Sequence, residues 1–288
     1  MSPHSTALPI ASAERETGLS ENTLRAWERR YGFPTPSRNA AGERMYPPEQ
    51  VRRLARIKRL MDRGHRPEAL LTMDERALLA LDEWMRLVET RDHPSMQRLF
   101  HRELAKLGML SFVQNTLVPL TRLVSEAWAR NQMDVLDEHL LWENIEQYFR
   151  KTIADLAPLE DSHPRCLLTT LPGEAHMLGL LMVEALLMLE DAHPVPLGPQ
   201  TPIAGIVRAV ETERIDVVCL SFSIVYPPAQ AVQGLTELRR ALPAHVQIWA
   251  GGQGVKGLRK PIAGVQVIPE FDDLFIWLAG WRNAQAQK

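Results

Sequence analysis

The chain holds two cysteines in 288 residues, Cys166 and Cys219. Both lie in apolar runs of strand-like composition and read as buried core thiols, which argues against a disulfide framework or a cysteine metal site. No apolar stretch reaches the eighteen or so uncharged residues that a membrane span requires. The first twenty residues also lack the basic start and apolar centre of a secretory leader. These absences predict a cytoplasmic protein with no membrane partner. Net charge is small, −2, but unevenly spread. Up to residue 72 there are thirteen Lys and Arg against eight Asp and Glu, so that segment carries +5 and the rest −7. A basic module that meets polyanions, joined to a part that does not, has this distribution. The remaining bulk properties, 45% hydrophobic and 24% charged residues, are those of a globular chain long enough for two or three domains.

After a short polar tail, Pro9 to Glu16 has helical composition and breaks at Thr17-Gly18-Leu19-Ser20. Ser20 is a good N-cap, and Glu21 suits the positive end of the helix that follows. There Leu24, Trp27 and Tyr31 share a stripe that predicts burial, while Arg25 and Arg29, four apart, share another face with Arg30 beside them. Two short helices with a glycine turn, the second arginine-rich, read as a helix-turn-helix entering the major groove of double-stranded DNA; a solvated charged face is the alternative. Phe33 to Arg38 and Arg44-Met45-Tyr46 then flank the turn Asn39-Ala40-Ala41-Gly42, a two-stranded wing with an arginine on each arm. Pro47-Pro48-Glu49 opens a further helix carrying Val51, Leu54, Ile57, Leu60 and Met61 at helical spacing.

The run Leu24-Arg25-Ala26-Trp27-Glu28-Arg29-Arg30-Tyr31-Gly32, followed by Arg38, Gly42, Arg44 and Tyr46, resembles the DNA-binding domain of the MerR family of transcription regulators. The resemblance implies a winged helix-turn-helix over residues 1–72. Arg25, Arg29, Arg30, Arg38, Arg44 and Tyr46 are then the contacts to a promoter operator. Arginine suits either role there, since its fork clamps a phosphate or binds a guanine edge. Many MerR regulators continue into a long dimerising coiled coil. Here Gly64-His65-Arg66-Pro67 closes the helix, so self-association as a dimer or dimer of dimers must come from elsewhere.

Residues 73–160 show no strand-like run. Helices are expected over Asp74–Thr90, Pro94–Leu107, Met109–Arg130 and Val135–Ala157, a four-helix bundle with a kink at Pro119. Trp128 is followed after nine residues by Glu138-His139. As bare chemistry these are core packing and surface charge. The interval is also similar to the bundle that caps the upper face of cobalamin in MerR-type photoreceptors, where the Trp packs on the adenosyl group. Some of those photoreceptors carry a histidine directly after the Trp, which takes the cobalt once light has removed the upper ligand. Here that position is Ala129, and that route is closed.

In residues 161–288 strand-like runs at Cys166–Leu171, Pro194–Leu197, Asp216–Ser223, Val246–Ala250 and Val265–Ile268 alternate with helical runs. The pattern predicts a flavodoxin-like, doubly wound α/β domain with a five-strand parallel sheet. Pro172-Gly173 after the first strand leads into Glu174-Ala175-His176-Met177-Leu178-Gly179, with His176 on a loop at a carboxyl strand end, where open α/β sheets bind ligands. Ser221-Phe222-Ser223 and Gly251-Gly252 fall at the same edge. The order E-x-H-x-x-G, S-x-S, G-G resembles the cobalamin-binding domain, which implies His176 as the metal ligand. Glu174, Gly179, Ser221, Ser223, Gly251 and Gly252 would line the cofactor site, with Trp128, Glu138 and His139 above it. The implied protein is no enzyme but a regulator, a repressor, responsive to cobalamin and through its cobalt–carbon bond to light. Adenosylcobalamin is the expected form; haem, a bilin or another tetrapyrrole, or no cofactor and a protein partner, are the alternatives. A degenerate domain that keeps the fold and binds nothing is a further reading.

Overall fold

Ser20 caps the arginine-rich helix with its side chain, which accepts the backbone N–H of Thr23 at 3.2 Å. That helix, α2 (Glu21–Tyr31), follows α1 (Ile10–Thr17), and the turn between them holds Gly18 at φ 70°, where a side chain would be strained. The computed structural model describes residues 7–121, 124, 135–154, 156, 162–258 and 261–286. Leu24 and Trp27 of α2 are buried, as are Leu54 and Ile57 of α3 (Pro48–Asp62). Between α2 and α3 lies the wing, β2 (Ser37–Arg38) antiparallel to β3 (Arg44–Tyr46). A third strand, β1 (Leu8–Pro9), pairs with the other edge of β3, so the wing is the outer part of a three-stranded sheet. Two residues are too few for alternation to reveal, and sequence reading left Leu8 in the polar tail and put Pro9 at the start of the helix.

The bundle begins after α4 (Pro67–Thr72) with α5 (Glu75–Glu89), capped by Asp74, which accepts the N–H of Ala77 at 2.7 Å. Next come α6 (His93–Leu107) and α7 (Met109–Phe112). Where a kink was expected at Pro119, the helix instead widens one turn earlier, into π-type turns over Val113–Leu117. Proline has no N–H to return to the carbonyl four residues before it, and its ring crowds that turn; widening relieves both. A further helix spans Val135–Ala154. Trp128 and Ala129 lie outside the described residues, as does the side chain of Glu138. The described chain groups into two compact units, one from Met1–Lys106 and Gln114–Leu141, the other from Leu107–Val113 and Trp142–Lys288.

The second unit holds the parallel sheet: β4 (Arg165–Thr169), β5 (His193–Gly198), β6 (Val217–Ser221), β7 (Gln247–Gly251) and β8 (Gln266–Ile268). Their order is β5-β4-β6-β7-β8, the arrangement of a flavodoxin-like sheet. Buried Leu167, Val218, Leu220, Phe222, Leu235 and Ile248 belong to one core cluster. The proline-rich strand β5 lies at a sheet edge. Its His193 N–H bonds the Pro164 carbonyl, so the alternate residues Pro194 and Pro196 turn their missing donors outward, where no ladder bond is lost. After β4 the chain goes first to one side, β5, and then to the other, β6. The crevice between the carboxyl ends of β4 and β6 is therefore the switch point of the sheet, where ligands bind in this class of fold.

Candidate functional site

Thr170 and Leu171 leave the β4 ladder, and Pro172-Gly173 turns the chain, with Gly173 at φ 88° and the Glu174 N–H bonded to the Leu171 carbonyl at 3.1 Å. The turn sends two side chains opposite ways. Glu174 is 1% exposed, whereas the His176 side chain is 47% exposed. Glu174 Oε1 meets His176 Nδ1 at 2.7 Å and accepts the His176 backbone N–H at 3.0 Å. Its other oxygen accepts the Ser223 N–H and hydroxyl, each at 2.7 Å. With the Nδ1 proton directed at a carboxylate, the imidazole lone pair sits on Nε2, the arrangement that orients histidines toward metals.

Burial pushes the Glu174 carboxyl up, but the hydrogen bonds from His176 and Ser223 outweigh it and hold its pKa below the ordinary carboxylate range. A depressed folded value means that the stabilisation is present above the unfolded pKa and is lost as pH falls through the folded one. Cofactor-free protein should therefore melt lower once pH drops below the usual carboxylate range, and Glu174→Gln should flatten that fall. If the variant keeps the parent's acid limb, other groups cause it.

The other expected residues of this edge come together. Ser221 pairs with Gly251 in the β6–β7 register, and a Cβ on Gly179 would lie 2.5 Å from Ser221 Oγ. A side chain on Gly179 would therefore have to turn the Ser221 hydroxyl aside, although Ser221 Cβ stays at an ordinary 3.6 Å. Sequence reading missed two supports. Thr170 Oγ1 donates to the Glu174 carbonyl at 2.5 Å while accepting the Gln200 N–H at 2.8 Å, and the Tyr226 hydroxyl donates to the Pro172 carbonyl at 3.1 Å. Only pairings across long sequence separations could have shown these. His139 is exposed on the helix Val135–Ala154.

At the other end of the chain, Arg29 and Arg30 are exposed on α2, with Arg30 over the Tyr31 ring at 5.1 Å. Arg25 pairs with Glu21, and Arg38 on the wing donates to the Gly42 carbonyl at 2.7 Å. Arg44 is held by Glu28 of α2, Nε to Oε2 at 2.9 Å, which ties wing to helix. Tyr46 requires a correction. It is fully buried in the core of this domain, and among the described residues its hydroxyl has no hydrogen-bond partner, so in this geometry it is a core residue, not a surface contact. The alternation of β3, with Met45 and Arg44 before it, turns its ring inward.

The description MerR HTH family regulatory protein matches residues 8–76. The HTH-type transcriptional repressor CarA of Myxococcus xanthus is 30% identical over 303 residues, covering 96% of this chain and 98% of that protein. The chain belongs to the MerR-type repressor family of CarA and CarH. CarH of the same organism is 30% identical over 271 residues, covering 86% of this chain and 89% of its own. Membership of the CarA and CarH family thus extends through the sheet domain, well past the winged helix-turn-helix. Among solved structures, the Methanosarcina barkeri monomethylamine corrinoid protein superposes with a TM-score of 0.55 at 15% identity, covering 70% of this chain and 98% of its own, which shows a shared fold.

Proposed function

We propose that this protein is a cytoplasmic transcription repressor that binds operator DNA through residues 1–72 and is controlled by a cobalamin, adenosylcobalamin in its resting form, carried on His176. The observation that carries this reading is the buried Glu174 fixed on His176 Nδ1 at the switch point of the sheet. Both family relatives are named as transcriptional repressors, and neither as an enzyme. The residues suit the group: one exposed imidazole serves a metal that brings its equatorial ligands with it, and Gly179, Ser221, Gly251 and Gly252 keep the crevice rim low. When bound, the corrinoid supplies a cobalt–carbon bond that light can break. His176 would ligate the cobalt, Glu174 orients His176 and Ser223 holds Glu174, and Trp128, Glu138 and His139 of residues 73–160 are assigned as further cofactor contacts. The assembly is assigned as a dimer or dimer of dimers, in which several weak half-site contacts become one avid complex.

The test is the absorption spectrum of the purified protein with melting curves taken in the dark, with and without adenosylcobalamin. A corrinoid band and an upward shift are expected. A haem or bilin band, or no band and no shift, sinks the cobalamin reading. On the DNA side, Arg38→Ala should weaken binding to all sequences alike and flatten the slope of log K against log salt by about one unit, the loss of one phosphate contact. A change confined to sequence preference would instead make Arg38 a base reader.

A further inference from the structure

A row of arginines on α3 faces a row of acids on α5. Arg53, Arg56, Arg59 and Arg63 recur every three or four residues along one side of α3, and Glu75, Asp82 and Glu89 recur every seven along α5. Asp82 stands at the centre. Its Oδ2 accepts from Arg59 at 2.6 Å, its Oδ1 from Arg63 at 3.1 Å, and Arg56 Nε lies 3.7 Å away. At one end Glu75 pairs with Arg53 at 3.1 Å and with Arg56; at the other, Glu89 takes the fork of Arg63 at 2.6 and 2.9 Å. The side chains of Asp82 and Arg56 are 17% and 13% exposed, so the middle of the zipper is largely sheltered from salt. Arg53 extends it: its guanidinium lies 5.1 Å from the Phe33 ring and donates to the Met73 carbonyl at 2.6 Å. One side chain thus joins the approach to the wing, the end of α4 and the start of α5.

An apolar contact tolerates sliding, because any oily surface will do. This one does not, since Asp82 serves three guanidiniums, Glu75 two and Glu89 one, and a slip would leave sheltered charges unpaired. Because α1 packs against both α2 and α3, whatever fixes α3 also fixes the recognition helix. We propose that the zipper sets the orientation of the winged domain on α5, and through it the half-site spacing that an oligomer of this chain accepts. The coupling stands on the ion pairs alone. The spacing rests on the DNA binding and self-association proposed above, and neither needs the cofactor.

The experiment uses the full chain with Asp82→Asn and with Glu75→Gln, Asp82→Asn and Glu89→Gln together. Trypsin can cut after Arg63, in the connection leaving α3. With far-UV circular dichroism unchanged, the triple variant should be cut there about tenfold faster, since cleavage follows the population of the opened state, and Asp82→Asn should fall between. If the triple variant loses its dichroism and is cut at many sites, the single variant decides. Folded variants cut within about twofold of the parent rate would overturn the coupling. The second arm uses duplexes bearing two half-sites, selected with the parent from a random pool, with the spacing varied one base pair at a time. The parent should prefer one spacing by about tenfold and the triple variant should lose the preference. A parent indifferent to spacing overturns the spacing claim and leaves the coupling intact.

Discussion

His176→Ala is expected to leave the sheet domain folded and to remove nearly all affinity for cobalamin. The side chain is half exposed on a loop, so its loss takes little from the core. What it would remove, on the proposed function, is the direct bond from protein to cobalt. A ligand that binds only the folded state stabilises it by RT ln(1 + [L]/Kd), about 2.7 kcal/mol at a hundred times Kd, and the parent should melt higher by the corresponding amount. The variant should show almost no rise. Glu174→Gln separates ligation from orientation: it keeps the shape but loses the anion on Nδ1, and should weaken binding by about ten- to a hundredfold, the usual worth of such a partner. A His176→Ala protein that still melts higher with adenosylcobalamin would move the lower contact elsewhere and end the present assignment.

The sheet domain was largely legible because strand and helix differ in period and this segment alternates them cleanly; the five strands follow from that, and their order comes from the pairing. His176 was legible for a narrower reason, a turn signal after a strand with an acid two residues before the histidine. Its supports were not. Ser223 was flagged as a rim residue, yet its role is to hold Glu174 from 49 positions away. Tyr46 failed for the opposite reason. The MerR-like motif marks the position, but only the three-stranded sheet shows which way its ring turns, and the added strand β1 was too short to read. The α3–α5 zipper was missed because arginines on a basic module were read for DNA. Acids seven apart on α5 were the available signal.

Gly251 and Gly252 were read as one element, and the geometry separates them. Gly252 has φ 97°, a conformation that a side chain rarely adopts, and a Cβ there would press into the backbone carbonyl of Phe222. Gly251 has no such φ, and a Cβ would meet only the Ile268 carbonyl at 3.5 Å, an ordinary contact. Gly252→Ala should therefore combine backbone strain with overpacking, about 2–5 kcal/mol together. At about 2–4 °C per kcal/mol, that lowers the melting of the domain by roughly 4–20 °C. Gly251→Ala should change cofactor-free stability by less than about 1 kcal/mol, as a tolerated small substitution does. If Gly251 is small so that a corrin edge or its tail can approach the backbone, the same variant should nonetheless lose cobalamin affinity with its melting point unmoved. Equal affinity in Gly251→Ala and parent would mean that the pair serves the fold at 252 and nothing at 251, leaving the ligand's approach to Gly179, Ser221 and the histidine loop.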